Sequence, residues 1–156
     1  MDAFANQSML EISYGRMALR VHSVERNLVL IIAARLGEKD QNYDSLIRKY
    51  KKLTLAKLVS VTRENGFFDQ ELDDHLRNLV KARNELVHEV GDIVSDSIFS
   101  GGNPGEVIEY ITSFTGFLNN TLEVLKHELA YAVQSKGVDM DWLYKIAKEA
   151  AVKWHS

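Results

Sequence analysis

The chain has 156 residues, a formal charge of −3, 46% hydrophobic and 26% charged residues, and no cysteine. That length suits one domain with its own core, and the lack of cysteine excludes disulfides and thiolate metal sites and fits a reducing cytoplasm. The mild negative charge gives no global pull toward nucleic acid, so any contact with RNA has to be local.

The first ten residues, MDAFANQSML, lack the basic start and apolar centre of a signal peptide. The longest strongly apolar run, residues 28–34, is far too short to span a bilayer. A cytoplasmic location without membrane contact is therefore expected. One proline and nine glycines predict long elements with few tight turns.

In chain order, the first predicted helix covers 4–36, with Leu10, Met17, Val21, Val24, Leu28, Ile31 and Ile32 on its apolar face and Gly37 as its stop. A polar connection follows over 38–43. The second helix starts near Asp44, a good N-cap, and reaches about residue 65. KKLTLAKL reads as an end and a restart, so Thr54 marks a break. Arg48, Lys49, Lys51 and Lys52 form a basic cluster there, read as a solvated face. Asn65 and Gly66 end this helix, and Asp69 caps a third one that runs to about residue 99. SGGNPG (100–105) is the clearest loop, with Asn103, Pro104 and Glu106 standing at N-cap, N1 and N3 of a fourth helix that runs to about 136. Gly137 ends it, and Asp139 caps a short last helix through Trp142, Ile146 and Trp154. No segment alternates like a strand. The expected fold is all-α, an antiparallel four-helix bundle with a short C-terminal extra helix, in one domain over 1–156. The first, third and fourth helices should each be roughly 45 to 50 Å long at about 1.5 Å per residue.

The informative stretch is 76–94, LRNLVKARNELVHEVGDIV. As a helix it places Leu76, Leu79, Leu86, Val90 and Ile93 on one face. Arg83 stands in that same stripe, with Asn84 next to it and His88 one turn beyond Asn84. Arg83 and His88 are roughly 140° apart around the axis at about 100° per residue. A buried arginine has to be paired. Arg83 is therefore expected to be mostly buried against a carboxylate of the first helix, with Glu25 the best placed. In the plainest reading that pairing is all there is, and His88 caps the edge of the core. His75, His127 and His155 read as surface residues. Glu85 and His88 form one Glu-x-x-His unit, but carboxylate-bridged di-iron bundles need two, and no second copy exists. No metal and no cofactor are expected.

The run Arg83-Asn84-Glu85-Leu86-Val87-His88, on the third long helix of an all-helical chain, resembles the arginine–polar–x3–histidine signature of the HEPN superfamily. The wider run from LTLAKLV through FFDQELDDHL to KARNELVHEV is also similar to that family. The likeness covers the second and third helices best, and the fourth only by length and pattern. It implies metal-independent RNA cleavage by a toxin or effector of a toxin–antitoxin or phage-defence system. His88 would act as general acid or base on the 2′-hydroxyl or leaving oxygen, where an imidazole is suited to neutral pH. Arg83 would bind the scissile phosphate, and Asn84 would orient one of the two. Arg77 and Lys81 would bind substrate, offsetting Glu85, Glu89 and Asp92, whose charges repel phosphate. The resemblance also implies a homodimer with two motifs facing one cleft, and an antitoxin protein as partner. Arg16 and His22 make a second match with looser spacing, but no polar residue follows Arg16, and this pair reads as a decoy. In one branch of the family a tyrosine two residues after the histidine is modified by the antitoxin; that position here is Val90. The alternative is a non-catalytic HEPN-like module that binds RNA, a nucleotide or a protein.

Overall fold

The computed structural model describes residues 3–38, 42–99 and 104–152. Among them every element is helical: α1 (Ala3–Leu36), α2 (Tyr43–Lys51), α3 (Leu55–Glu64), α4 (Gln70–Phe99), α5 (Pro104–Lys136) and α6 (Met140–Val152). The all-α class is therefore observed. The long helices have 34, 30 and 33 residues, about 51, 45 and 50 Å at 1.5 Å per residue. None is long and apolar enough to cross a membrane. The loop and the Asn103 cap read over 100–103, and Trp154 and His155, lie outside the described residues.

Local chemistry explains the breaks. The second predicted helix is two: α2 ends at Lys51, Thr54 is extended, and its Oγ1 accepts the Lys57 N–H at 3.4 Å to start α3. Asp44 is not the cap expected of it. Asn42 precedes the first turn without a side-chain cap bond, and Asp44 lies inside α2, 3.2 Å from Arg48 Nε one turn on. α3 closes with Gly66 at φ +64°, where the Gly66 N–H reaches the Arg63 carbonyl and the Phe67 N–H that of Thr62. This paired bonding needs a left-handed residue, for which glycine is suited. The Asp69 carboxylate then accepts the Leu72 N–H at 2.8 Å and opens α4. Asp139 does the same for α6 through the Asp141 N–H at 3.1 Å.

The core is a single apolar cluster, fed by α1 (Val24, Leu28, Ile31 and Ile32) and α5 (Ile111, Leu118, Leu125 and Leu129) and closed by the other helices. α1 and α5 form the most extensive pair; α1 also meets α2 and α3, α2 meets α6, and α4 meets α3 and α5. Lys136 Nζ donates to the Gly37 carbonyl at 3.4 Å, and the Arg35 guanidinium sits 5.4 Å over the Tyr131 ring. The C-terminal ends of α1 and α5 thus lie side by side, and the pair runs parallel. α4 meets α5 where His75, near the start of α4, touches Phe117 and Thr121 in the middle of α5. The parallel central pair departs from a strictly antiparallel bundle. The reason lies in α2 and α3, with only 9 and 10 residues and a break between them. Each is too short to carry the chain back along the whole of α1, although both pack against it. Gly37 permits the corner, because a Cβ there would run into the Tyr43 ring and approach the Ala33 carbonyl to 2.8 Å. Tyr43 in turn meets Trp142 of α6 edge-on at 5.5 Å.

Candidate functional site

α4 buries Leu76, Leu79, Leu86 and Val90 as its spacing requires. Arg83 interrupts that stripe, and its side chain is exposed, where a mostly buried one was expected. Two causes combine. α4 packs on α3 and α5 rather than closely on α1, so nothing seals the Arg83 position. An arginine also lays its aliphatic stem along apolar neighbours and turns its head to water. Arg83 Nη1 donates to Asn84 Oδ1 at 3.2 Å. No ion pair with Glu25 forms, yet the two are close enough to feel each other. Burial pushes the half-buried Glu25 carboxyl above the usual carboxylate range, and the charges of His22 and then Arg83 pull the other way. The Glu25 carboxyl thus lies within electrostatic reach of His22 and Arg83, without a salt bridge to either.

Asn84 and His88 are also exposed. Asn84 forms one end of a groove of about 380 Å³ between α3 and α4, lined by Ser60, Arg63, Arg77, Lys81 and Asn84 over Ala56, Val59 and Val80. The α3–α4 turn makes the two helices antiparallel, which sets Arg63 opposite Arg77 and Ala56 opposite Asn84. Three cations and no carboxylate line this groove, in a chain of net charge −3. Arg77 and Lys81 are therefore together and beside Asn84, while Arg83 does not line the groove and meets it only through its bond to Asn84. Sequence reasoning missed Arg63. Its signal was present, since a short turn after α3 folds the last turn of that helix onto the second turn of the next.

His75 is not the plain surface residue expected. It is partly buried, stacked on Phe117 at 4.4 Å, with Nε2 2.7 Å from Thr121 Oγ1. The Thr121 hydroxyl donates to the Phe117 carbonyl at 2.9 Å, so it accepts from an Nε2–H of His75. Burial lowers the affinity of His75 for a second proton. His127 is exposed as read. Among the described residues no group of three His, Asp or Glu side chains comes together at metal-ligand geometry. Comparison of the chain with protein-family models, with curated proteins and with solved structures finds no match.

Proposed function

We propose that the chain is a HEPN-like, metal-independent RNA endonuclease, a toxin or effector of a toxin–antitoxin or phage-defence system. The observation that carries this reading is the continuity from the basic α3–α4 groove through Asn84 to Arg83. A single RNA strand with its phosphates on Arg63, Arg77 and Lys81 would lead past Asn84 toward the exposed side chains of Arg83 and His88. There the 2′-oxygen attacks phosphorus, the P–O5′ bond breaks, and a 2′,3′-cyclic phosphate and a free 5′-hydroxyl result. His88 takes the 2′ proton or supplies the one that the leaving oxygen needs. Arg83 offsets charge on the phosphoryl oxygens, held by Asn84. The mutual packing of α1, α3, α4 and α5 in one ring of neighbours supports the bundle part of the family resemblance. A homodimer that sets two Arg83–His88 faces across one cleft, located in the cytoplasm and restrained by an antitoxin protein, completes the reading.

The rival is a non-catalytic HEPN-like module that binds RNA, a nucleotide or a protein. Glu85 and Glu89, both exposed around His88, favour it because they repel a scissile phosphate. A cleavage assay on single-stranded RNA decides between the two. Under the nuclease reading, cleavage persists in EDTA, ends in 2′,3′-cyclic phosphate, and falls on the order of 10²–10⁴-fold in His88→Ala. His22→Ala should change it little. Full cleavage by folded His88→Ala, or binding without cleavage by the wild type, would leave the module reading standing.

A further inference from the structure

A second cavity, of about 280 Å³, lies between α1, α2, α3 and α6, away from the α3–α4 groove. Its floor is aliphatic: Val29, Leu30, Ile47, Leu53 and Leu58. Its rim is charged, with Arg26, Lys51 and Lys148 set against Glu25 and the imidazole of His22. Arg26 and Lys148 also belong to an adjoining shallow depression, where Lys145, Tyr144 and Asp141 complete the wall. The apolar chamber therefore opens at its mouth onto cations. Arg26, Lys51, Lys145 and Lys148 outnumber Glu25 and Asp141 there by two, in a chain that is acidic overall. The Arg26 guanidinium is held 5.9 Å over the Tyr144 ring, on the wall of the mouth.

The basic cluster on α2 shows the same sorting. Arg48 is taken up by Asp44 at 3.2 Å and Lys49 sits 5.2 Å over Tyr50, while Lys51 lines the cavity. An apolar chamber with a cationic mouth matches one ligand chemistry: an aliphatic body carrying one negative head. A neutral alkane would leave the cations unused, and a free small anion would leave the floor unfilled. We infer that this cavity binds a small amphiphilic carboxylate, its chain on the Val29, Leu30 and Leu58 floor and its head at Arg26, Lys51 and Lys148. The inference does not rest on the proposed RNA cleavage, whose groove is lined by other residues of α3 and by α4.

Isothermal titration of the full chain with hexanoate, heptanoate, octanoate, acetate, octanol and octylammonium tests it. Octanoate should bind at one site per chain, with affinity rising about fourfold per added methylene from hexanoate, as burial of each CH₂ requires. Octanol should bind at least tenfold more weakly, and acetate and octylammonium not measurably. Lys51→Glu with Lys148→Glu, both changes on exposed side chains, should weaken octanoate at least tenfold and octanol by less than threefold. Ala147→Phe, which fills the cavity wall, should abolish binding, with circular dichroism as the check on its fold. Absence of saturable octanoate binding would overturn the inference. So would octanol binding as tight as octanoate, or octanoate binding that ignores the charge reversal.

Discussion

Glu25 and Arg83 show how far one side chain's surroundings decide its role. Burial raises the Glu25 carboxyl against the opposing pull of His22 and Arg83. The folded chain then holds this proton more tightly than the unfolded chain does. The associated stability is fully present below the unfolded carboxyl's range and is lost as pH rises through the folded value. Ionised Glu25 is thus unfavourable at neutral pH. Glu25→Gln is expected to raise Tm at about pH 7 and to change it much less near pH 4, where the native carboxyl already carries its proton. A lower Tm for the glutamine variant at neutral pH would mean that attraction to His22 and Arg83 outweighs burial. Arg83 makes the complementary case. Had it been buried and paired, its loss would cost about 3–5 kcal/mol. Exposed and, among the described residues, hydrogen-bonded only to Asn84, it falls in the class of surface changes worth about 0.5 kcal/mol or less. Urea unfolding of Arg83→Ala should therefore match wild type closely, while under the nuclease proposal RNA cleavage should be lost. A fall of several kcal/mol would restore the structural reading of this residue.

The α3–α4 hairpin is where separate sequence signals become one surface. Gly66, the Asp69 cap and two antiparallel helices bring Arg63, Arg77 and Lys81 into one groove. If these three meet RNA phosphates, binding should weaken steeply with salt, with each contact contributing about 0.7 to the slope of log K against log salt. Changing all three to glutamine should lower that slope by about 2. Fluorescence anisotropy with a short single-stranded RNA over a salt series measures it, and an unchanged slope would place the RNA elsewhere. Which charges belong to the groove was half legible. Arg77 and Lys81 stand one turn apart on one helix and precede Asn84, so the sequence alone links them. Arg63 joins them only when the hairpin closes.

At the scale of the whole molecule, a lone arginine and histidine on an open helix face make a sparse site. A two-fold axis would double it and exclude water from it. The expected particle is a homodimer with the two α4 faces opposed. Light scattering at micromolar concentration should give twice the chain mass, and an added charge at the exposed Val87, as in Val87→Glu, should shift the mass toward monomer. A monomer at that concentration would count against the paired cleft.

The sequence by itself determined the helical class, the ends of the three long helices, the break at Thr54 and the caps at Asp69 and Asp139, while Asp44 was misplaced as a cap. These depend on neighbours a few residues apart: the period of the apolar stripe, Thr54, Asp69 and Asp139 as side-chain caps, and glycine at the left-handed positions 66 and 137. What only the tertiary structure decided is which faces meet. The parallel α1–α5 pair depends on the length of α2 and α3 and on the corner at Gly37, and no periodicity encodes either. His75 was misread because its partners, Phe117 and Thr121, lie on another helix more than 40 residues away. Arg83 was misread for the same reason. The spacing put its Cα on the apolar stripe, but burial of its head required a helix opposite, and α4 faces α3 and α5 instead. The cavity among α1, α2, α3 and α6 was hidden too, because its floor and its cations come from four separate stretches of chain.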